Sequence, residues 1–191
     1  IIDQKYTPDY IHFVDNAITP ALLRGLSKTK FGFKWYGFVR FEKEFLSLDF
    51  CCALKKSGCE MLKLGLESGD QNVLDQMNKG TDLGVVSTTL KNLKKAKILT
   101  YVYLLFGTGF EDEAAARKTL DYVKCHKDDI DYLNLAVFNL PKFSEDSDGL
   151  ETREFYHGDL SLYLNFVHPT GWNRKKVKHF LNKEFKKELA I

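Results

Sequence analysis

Met61-Leu62-Lys63-Leu64-Gly65-Leu66 runs directly into Glu67-Ser68-Gly69-Asp70-Gln71. The first half reads as a strand, and the small polar residues that follow read as a turn at its C-terminal end. Gln71 to Met77 then reads as a short helix. Asp82 to Ala96 reads as a longer one, with Leu83, Val86, Leu90 and Leu93 at helical spacing. One strand, one polar turn and a helical return make a βα unit, and the rest of the chain repeats that order.

Downstream, Ile98 to Phe106 is almost continuously apolar, as a strand covered on both faces would be. Gly107-Thr108-Gly109 closes it. Glu111 to Cys125 is expected as a helix that opens on acidic residues, which favour the positive end of the helix dipole. Ile130 to Phe138 is the next strand, closed by Asn139-Leu140-Pro141. Upstream, Asp9 to Val14 and Phe33 to Val39 are strands. Thr19-Pro20 starts the helix after the first of them, since threonine caps and proline suits the first helical position. Leu46 to Lys56 is the helix after the second, with Gly58 placed to stop it. Five strands alternating with helices predict an α/β fold with parallel strands, a partial, open (β/α) barrel of the TIM type. The barrel is expected over residues 1–141. From 142 to 191 the order breaks into a polar loop, an aromatic stretch without clear period, and a basic helix from Asn173 to Leu189. That tail reads as an appended loop and helical extension.

Composition sets wide limits. The chain has 191 residues, 44% hydrophobic and 28% charged, which suits a folded domain rather than a disordered one. Its 28 Lys+Arg against 26 Asp+Glu leave a formal charge of +2, so nucleic acid is not an expected partner. No apolar run reaches membrane-spanning length, and Ile1-Ile2-Asp3-Gln4-Lys5 lacks the order of a signal peptide. The chain does not begin with Met, and a piece of something longer is expected. Cys51, Cys52, Cys59 and Cys125 show no CxxC spacing and no Cys/His cluster, so no metal site is expected. Buried thiols in the reducing cytoplasm are the expectation.

The candidate site follows from position. Each strand is apolar and ends in a polar group: Asp15-Asn16, Arg40, Glu67-Ser68, Gly107 and Gly109 with Glu111, and Asn139 before Leu140. Ligands of parallel α/β folds bind at the carboxyl ends of the strands. Asp15 could accept from an ammonium, or simply cap a turn. Arg40 could clamp a carboxylate, or be a surface charge. Glu67 could accept from both hydroxyls of a ribose, or pair with a lysine. Gly107-Thr108-Gly109 begins like a dinucleotide loop, but its third glycine is missing. Glu111 and Asp112 would repel a pyrophosphate there, so a neutral ring or a zwitterion fits better.

These motifs resemble the radical SAM superfamily, in particular its branch often fused to a cobalamin-binding domain. The residues that carry the resemblance are Phe13-Val14-Asp15-Asn16, Trp35 with Arg40, and Leu64-Gly65-Leu66-Glu67-Ser68-Gly69-Asp70-Gln71. Val73-Leu74-Asp75-Gln76-Met77-Asn78-Lys79-Gly80, Leu105 to Glu111 and Asn139-Leu140-Pro141 continue it. The resemblance spans about residues 9–185. It implies S-adenosylmethionine (SAM) as cofactor, with a [4Fe–4S] cluster that cleaves SAM reductively to a 5′-deoxyadenosyl radical. It implies Asp15 near the methionine amino group with Asn16 beside it in the cofactor site, Arg40 near the methionine carboxylate, and Glu67 and Ser68 at the strand that meets the ribose and carboxylate. Gly107 to Glu111 would lie against the adenine, and Asn139 and Leu140 near the adenine or the substrate. Cobalamin is a further cofactor of that branch, and no residue here is a specific candidate for it.

The family's CxxxCxxC cluster loop has no match in this sequence, and the Pro-Gly usual after Gly107 is Thr108-Gly109. The resemblance therefore implies part of an iron–sulfur oxidoreductase, inactive alone, whose partner is the rest of the same protein. Two alternatives stand beside it. One is a cluster-less binding module on the same barrel. The other is an unrelated barrel enzyme with Asp15 and Glu67 as acid and base. An open barrel edge leads us to expect self-association.

Overall fold

The computed structural model describes residues 6–158 and 161–189; the segment Ile1 to Lys5, read above for a signal peptide, lies outside them. The strands β1 (Tyr10–Phe13), β2 (Lys34–Val39), β3 (Cys59–Glu67), β4 (Leu99–Phe106) and β5 (Tyr132–Val137) form one sheet in sequence order. Every pairing in it is parallel. The helices between them are α1 (Pro20–Leu26), α2 (Leu48–Lys56), α3 (Gln71–Gln76), α4 (Leu83–Lys95) and α5 (Glu113–Cys125). The partial, open α/β barrel expected from the sequence is the architecture found, with β1 and β5 as free edges.

Polar side chains place the helix starts. Thr19 accepts from Leu22 N–H at α1, Ser47 from Phe50 N–H at α2, Asp70 from Asn72 N–H at α3 and Asp82 from Val85 N–H at α4. Two starts differ from expectation. Leu46 ends a short 3₁₀ turn, Lys43–Leu46, and α2 begins only after the Ser47 cap. At α5 the cap is Asp112, which accepts from Ala115 N–H at 2.8 Å. Glu111 thus stands before the helix and turns inward.

The two faces of the sheet differ. Trp35, Val39, Leu62, Leu64, Leu66, Val102, Leu104 and Phe106 point to the helices and are buried. The other face carries no helix among the described residues and holds His12, Tyr36, Phe38, Lys63, Tyr101 and Tyr103, all half-buried. This corrects the reading of Ile98 to Phe106 as covered on both faces. β4 alternates strictly between buried and half-buried positions, because its apolar run spends tyrosines on the open face.

The tail is more ordered than expected. Leu140–Pro141 (β6), Thr152–Glu154 (β7) and Tyr163–Phe166 (β8) form a small antiparallel sheet in the order β6-β8-β7. Asn173 caps α6 (Arg174–Phe180), accepting from Lys175 and Lys176 N–H. The expected single helix to Leu189 is interrupted by a π-helical turn, Leu181–Phe185. Trp172, Val177, Phe180 and Phe185 are buried in one core with Leu66, Leu104, Phe106 and Leu120. The extension therefore packs into the core of the barrel.

Gly69 lets the β3–α3 turn lie on α5. A Cβ there would fall 2.7 Å from Tyr122 Cβ and 2.8 Å from Thr119 Cα, so no larger residue fits without backbone movement.

Candidate functional site

The strand ends meet at a cleft of about 610 Å³ whose lining includes Asn16, Arg40, Glu67, Lys79, Thr81 and Tyr103. Glu67 is placed there by a local distortion of β3. The β3–β4 register slips between Gly65 and Glu67, which face Tyr103 and Leu104, so Leu66 is bulged out. Leu66 C=O accepts from Ser68 N–H at 2.8 Å, closing a tight three-residue turn centred on Glu67. Glu67 holds φ at 66°, a strained value for a residue with a side chain. The carboxylate folds back over Gly65, where a Cβ would come within 2.8 Å of Glu67 Oε1. The glycine before this glutamate is thus part of the site: any side chain at 65 would push the carboxylate aside. Burial raises the Glu67 pKa above the ordinary carboxylate value, and the charge of Lys79 acts against that shift. Arg40 is exposed at the rim and forms no ion pair among the described residues.

The remaining expected site residues are distributed elsewhere. Asp15 is exposed in the turn after β1 and does not line the cleft. Ser68 is fully buried on the helix side, 3.2 Å from Thr119 Oγ1 and accepting from Asp70 N–H. It holds the turn and does not reach the cleft. Gly107 and Asn139 line a second, small cavity of about 50 Å³ with Phe138, Phe166, His168 and Arg174. Gly107 has φ 80°, and a Cβ there would sit 3.2 Å from Val177 Cγ2. Gly109, by contrast, has nothing within 4 Å of such a Cβ. Asn139 Oδ1 accepts from the Arg174 guanidinium at 2.6 Å. Leu140 is buried and pairs with Leu164 in the small sheet.

Glu111 is 1% exposed. Its Oε2 accepts from Gly107 N–H at 2.5 Å and from Trp172 Nε1–H at 2.9 Å. Its Oε1 has no hydrogen-bond partner among the described residues. Burial pushes the carboxyl up to about 7, while the Gly107 and Trp172 hydrogen bonds pull it down. Its work is to lock the strand-end loop to the tail. Next to it, His168 Nε2 meets Thr108 C=O at 2.8 Å, and Thr170 Oγ1 donates to Glu111 C=O. Sequence reading missed Lys79, Tyr103, Trp172 and His168. Lys79 was within reach, as it stands in a quoted motif; the other three carry no local signal.

The residues present fit a nucleoside-sized polar ligand with hydroxyls and charges. They do not fit an iron–sulfur cluster. Cys51 and Cys59 are buried in the outer core, with Cys51 pushed up to about 12 and Cys59 also raised, both by burial. A cluster needs thiolates, which such surroundings disfavour. No cluster of metal-ligating side chains exists among the described residues. Cys52 is half-buried and Cys125 exposed, so only part of the buried-thiol expectation is met.

No family model matches the chain. The chain is 29% identical over 152 residues to a bacteriochlorophyllide d C-12(1)-methyltransferase of Chlorobaculum tepidum, a match covering 75% of this chain and 31% of that protein. Among solved structures it is similar to the radical SAM methyltransferase TsrM from Kitasatospora setae, with a TM-score of 0.61 and 16% identity. That match covers 81% of this chain and 35% of TsrM, whose structure holds cobalamin and a [4Fe–4S] cluster. It is also similar to the coproporphyrinogen III oxidase HemN of Escherichia coli, a radical SAM enzyme, with a TM-score of 0.60, 14% identity and coverage of 91% and 40%. The chain thus has the fold of a piece of the radical SAM barrel, and spans about a third of the length of these relatives. The backbone geometry agrees with the resemblance read from the motifs.

Proposed function

We propose that this chain is the SAM- and substrate-binding part of a radical SAM enzyme, whose cluster-binding thiolates lie outside this sequence. The observation that supports it is the bulged β3 end, which spends backbone strain to aim Glu67 into the strand-end cleft. In this reading Glu67 accepts from the ribose hydroxyls, Arg40 holds the methionine carboxylate, and Asn16 bonds the amino end. Gly107, pinned by Glu111, offers backbone to the adenine side. Bound SAM supplies the group whose cleavage the whole protein carries out. The residues here bind and orient it, and the chain alone is inactive. None of the described residues is assigned to cobalamin. Asp15 and Glu67 do not share the cleft, so the acid–base alternative lacks its pair. No helix among the described residues is long and apolar enough to cross a membrane; a reducing, cytoplasmic setting suits the free thiols. The division into barrel and extension is proposed after Pro141, with β6 (Leu140–Pro141) as the strand through which the tail's small sheet joins the barrel.

Calorimetric titration of the purified chain with SAM tests the reading. Binding is expected, weakened about tenfold or more by Glu67→Gln, which removes a charged acceptor for two hydroxyls. No 5′-deoxyadenosine is expected on reduction with dithionite. Absence of SAM binding, or binding indifferent to Glu67→Gln and Arg40→Met, would overturn it.

The open edges of β1 and β5 carry a second expectation, self-association. Sedimentation equilibrium at micromolar concentration should show species above the monomer mass; a strict monomer would sink this.

A further inference from the structure

The open face of the sheet below the cleft holds a cluster that the function proposed above does not use. Lys63 stands on β3 on the same face as Glu67, about 13 Å toward the N-terminal end of the strand. Its ammonium lies 4.8 Å from the Phe38 ring centroid and 5.3 Å from that of Tyr36. It is also 3.5 Å from His12 Nε2. His12 stacks on Tyr36 with centroids 4.5 Å apart and planes 10° apart. The register sets Phe38 and Tyr101 on either side of Lys63, and Tyr103 continues the row 5.0 Å from Tyr101.

Two features of this cluster point to a ligand. First, Lys63 has no counter-ion among the described residues. The nearby Glu60 pairs instead with Lys34 and Lys55, and the lysine that acts on Glu67 is Lys79. A half-buried ammonium among rings gains from cation–π contact, but it still lacks a charge partner. Second, the cluster is flanked by space. The cleft above includes Phe38, Gly65 and Tyr103, and a second cleft of about 440 Å³ below includes Tyr36, Met61 and Tyr101. Both are ligand-sized: the upper is also lined by Arg40, Glu42, Glu67 and Lys79, the lower is mostly tyrosine rings with Glu60, and Lys63 stands among the rings that border the two.

We propose that Lys63, with His12, Tyr36, Phe38, Tyr101 and Tyr103, forms a cradle for the flat aromatic part of a substrate that carries a carboxylate. The carboxylate pairs with Lys63, and the rings stack on the substrate plane. This names the substrate class for the enzyme proposed above and rests on that reading for the word substrate alone; the cradle itself stands on its own geometry.

The test uses the purified chain and two matched probes, 2-naphthoate and 2-naphthalenemethanol. Calorimetry should show naphthoate binding about tenfold or more tighter than the neutral alcohol, since a charge-assisted pair is made by one probe only. Lys63→Met should abolish the difference, and Lys63→Arg should restore most of it. Equal binding of the two probes, or a preference that survives Lys63→Met, would overturn the proposal. So would sedimentation showing that the cradle is filled by a second copy of the chain, as a dimer lost on Lys63→Met. SAM titration keeps the two readings apart. Naphthoate binding lost in Lys63→Met with SAM binding intact supports the cradle, whereas loss of both overturns it as a general disturbance. If SAM fails to bind the native chain while naphthoate still needs Lys63, the SAM reading falls and the cradle stands.

Discussion

Trp172→Ala should destabilise the chain by about 4 kcal/mol or more, enough to remove much of the stability of an ordinary domain. Trp172 is 3% exposed and lies edge-on to Phe180, with centroids 5.8 Å apart. Truncation leaves a large cavity between α6 and the barrel core, and such losses run to about 3–5 kcal/mol. It also takes from the buried Glu111 Oε2 one of its two donors, with a further desolvation penalty of about 1–3 kcal/mol. Trp172→Phe separates the two contributions, since it keeps most of the apolar volume and loses only the donor. Urea denaturation of the three proteins measures this. A loss below about 1 kcal/mol for the alanine variant would mean that the extension is a detachable appendage, with no part in the barrel's stability.

The second large effect is the pH dependence carried by Glu111. Its folded carboxyl sits at about 7 against an ordinary 4.5, chiefly through burial. A carboxyl whose folded pKa is raised holds its proton more tightly in the folded state. Its contribution to stability is therefore fully present below about 4.5 and is lost as pH rises through about 7. The size of the loss is about 3 kcal/mol. Glu111→Gln cannot ionise and still offers an oxygen to Gly107 N–H and Trp172 Nε1–H. The variant should gain on the native chain by about that amount between pH 5 and pH 8. His168 is shifted the other way, its pKa lowered by burial, so it adds stability as pH rises toward its ordinary 6.5. The difference between the two proteins cancels that contribution. Parallel stability–pH curves for native and Glu111→Gln would show that Glu111 does not titrate in this window.

Much of the barrel was legible because its signals are local. Thr19, read as a cap, does accept from Leu22 N–H three residues on, and the strands are read by composition; Ser47 also caps locally, but the apolar Leu46 before it drew the expected helix start too early. The candidate site was legible only as a set of strand ends. Asn16, Arg40 and Glu67 do meet at one cleft, while Ser68 and Leu140 turn into packing and Gly107 and Asn139 line a separate cavity. The small sheet was missed because its strands are short and its partners distant: Leu140 pairs with Leu164, and Thr152 with Phe166. Glu111 reads as a helix-start acid, yet its partner Trp172 comes from the far end of the chain.

The order and type of the barrel elements, their parallel arrangement and the resemblance to radical SAM enzymes are all written in the linear chain. Periodicity, caps and linked motifs act within a few residues and survive in the linear text. Which strand ends share a cleft, that the tail completes the core, and that Lys63 stands among aromatic rings with no counter-ion among the described residues emerge only in three dimensions. Those facts depend on strand register, on one bulge between Gly65 and Glu67, and on contacts across long separations. They are set by the packing of one element against another, which no local pattern encodes.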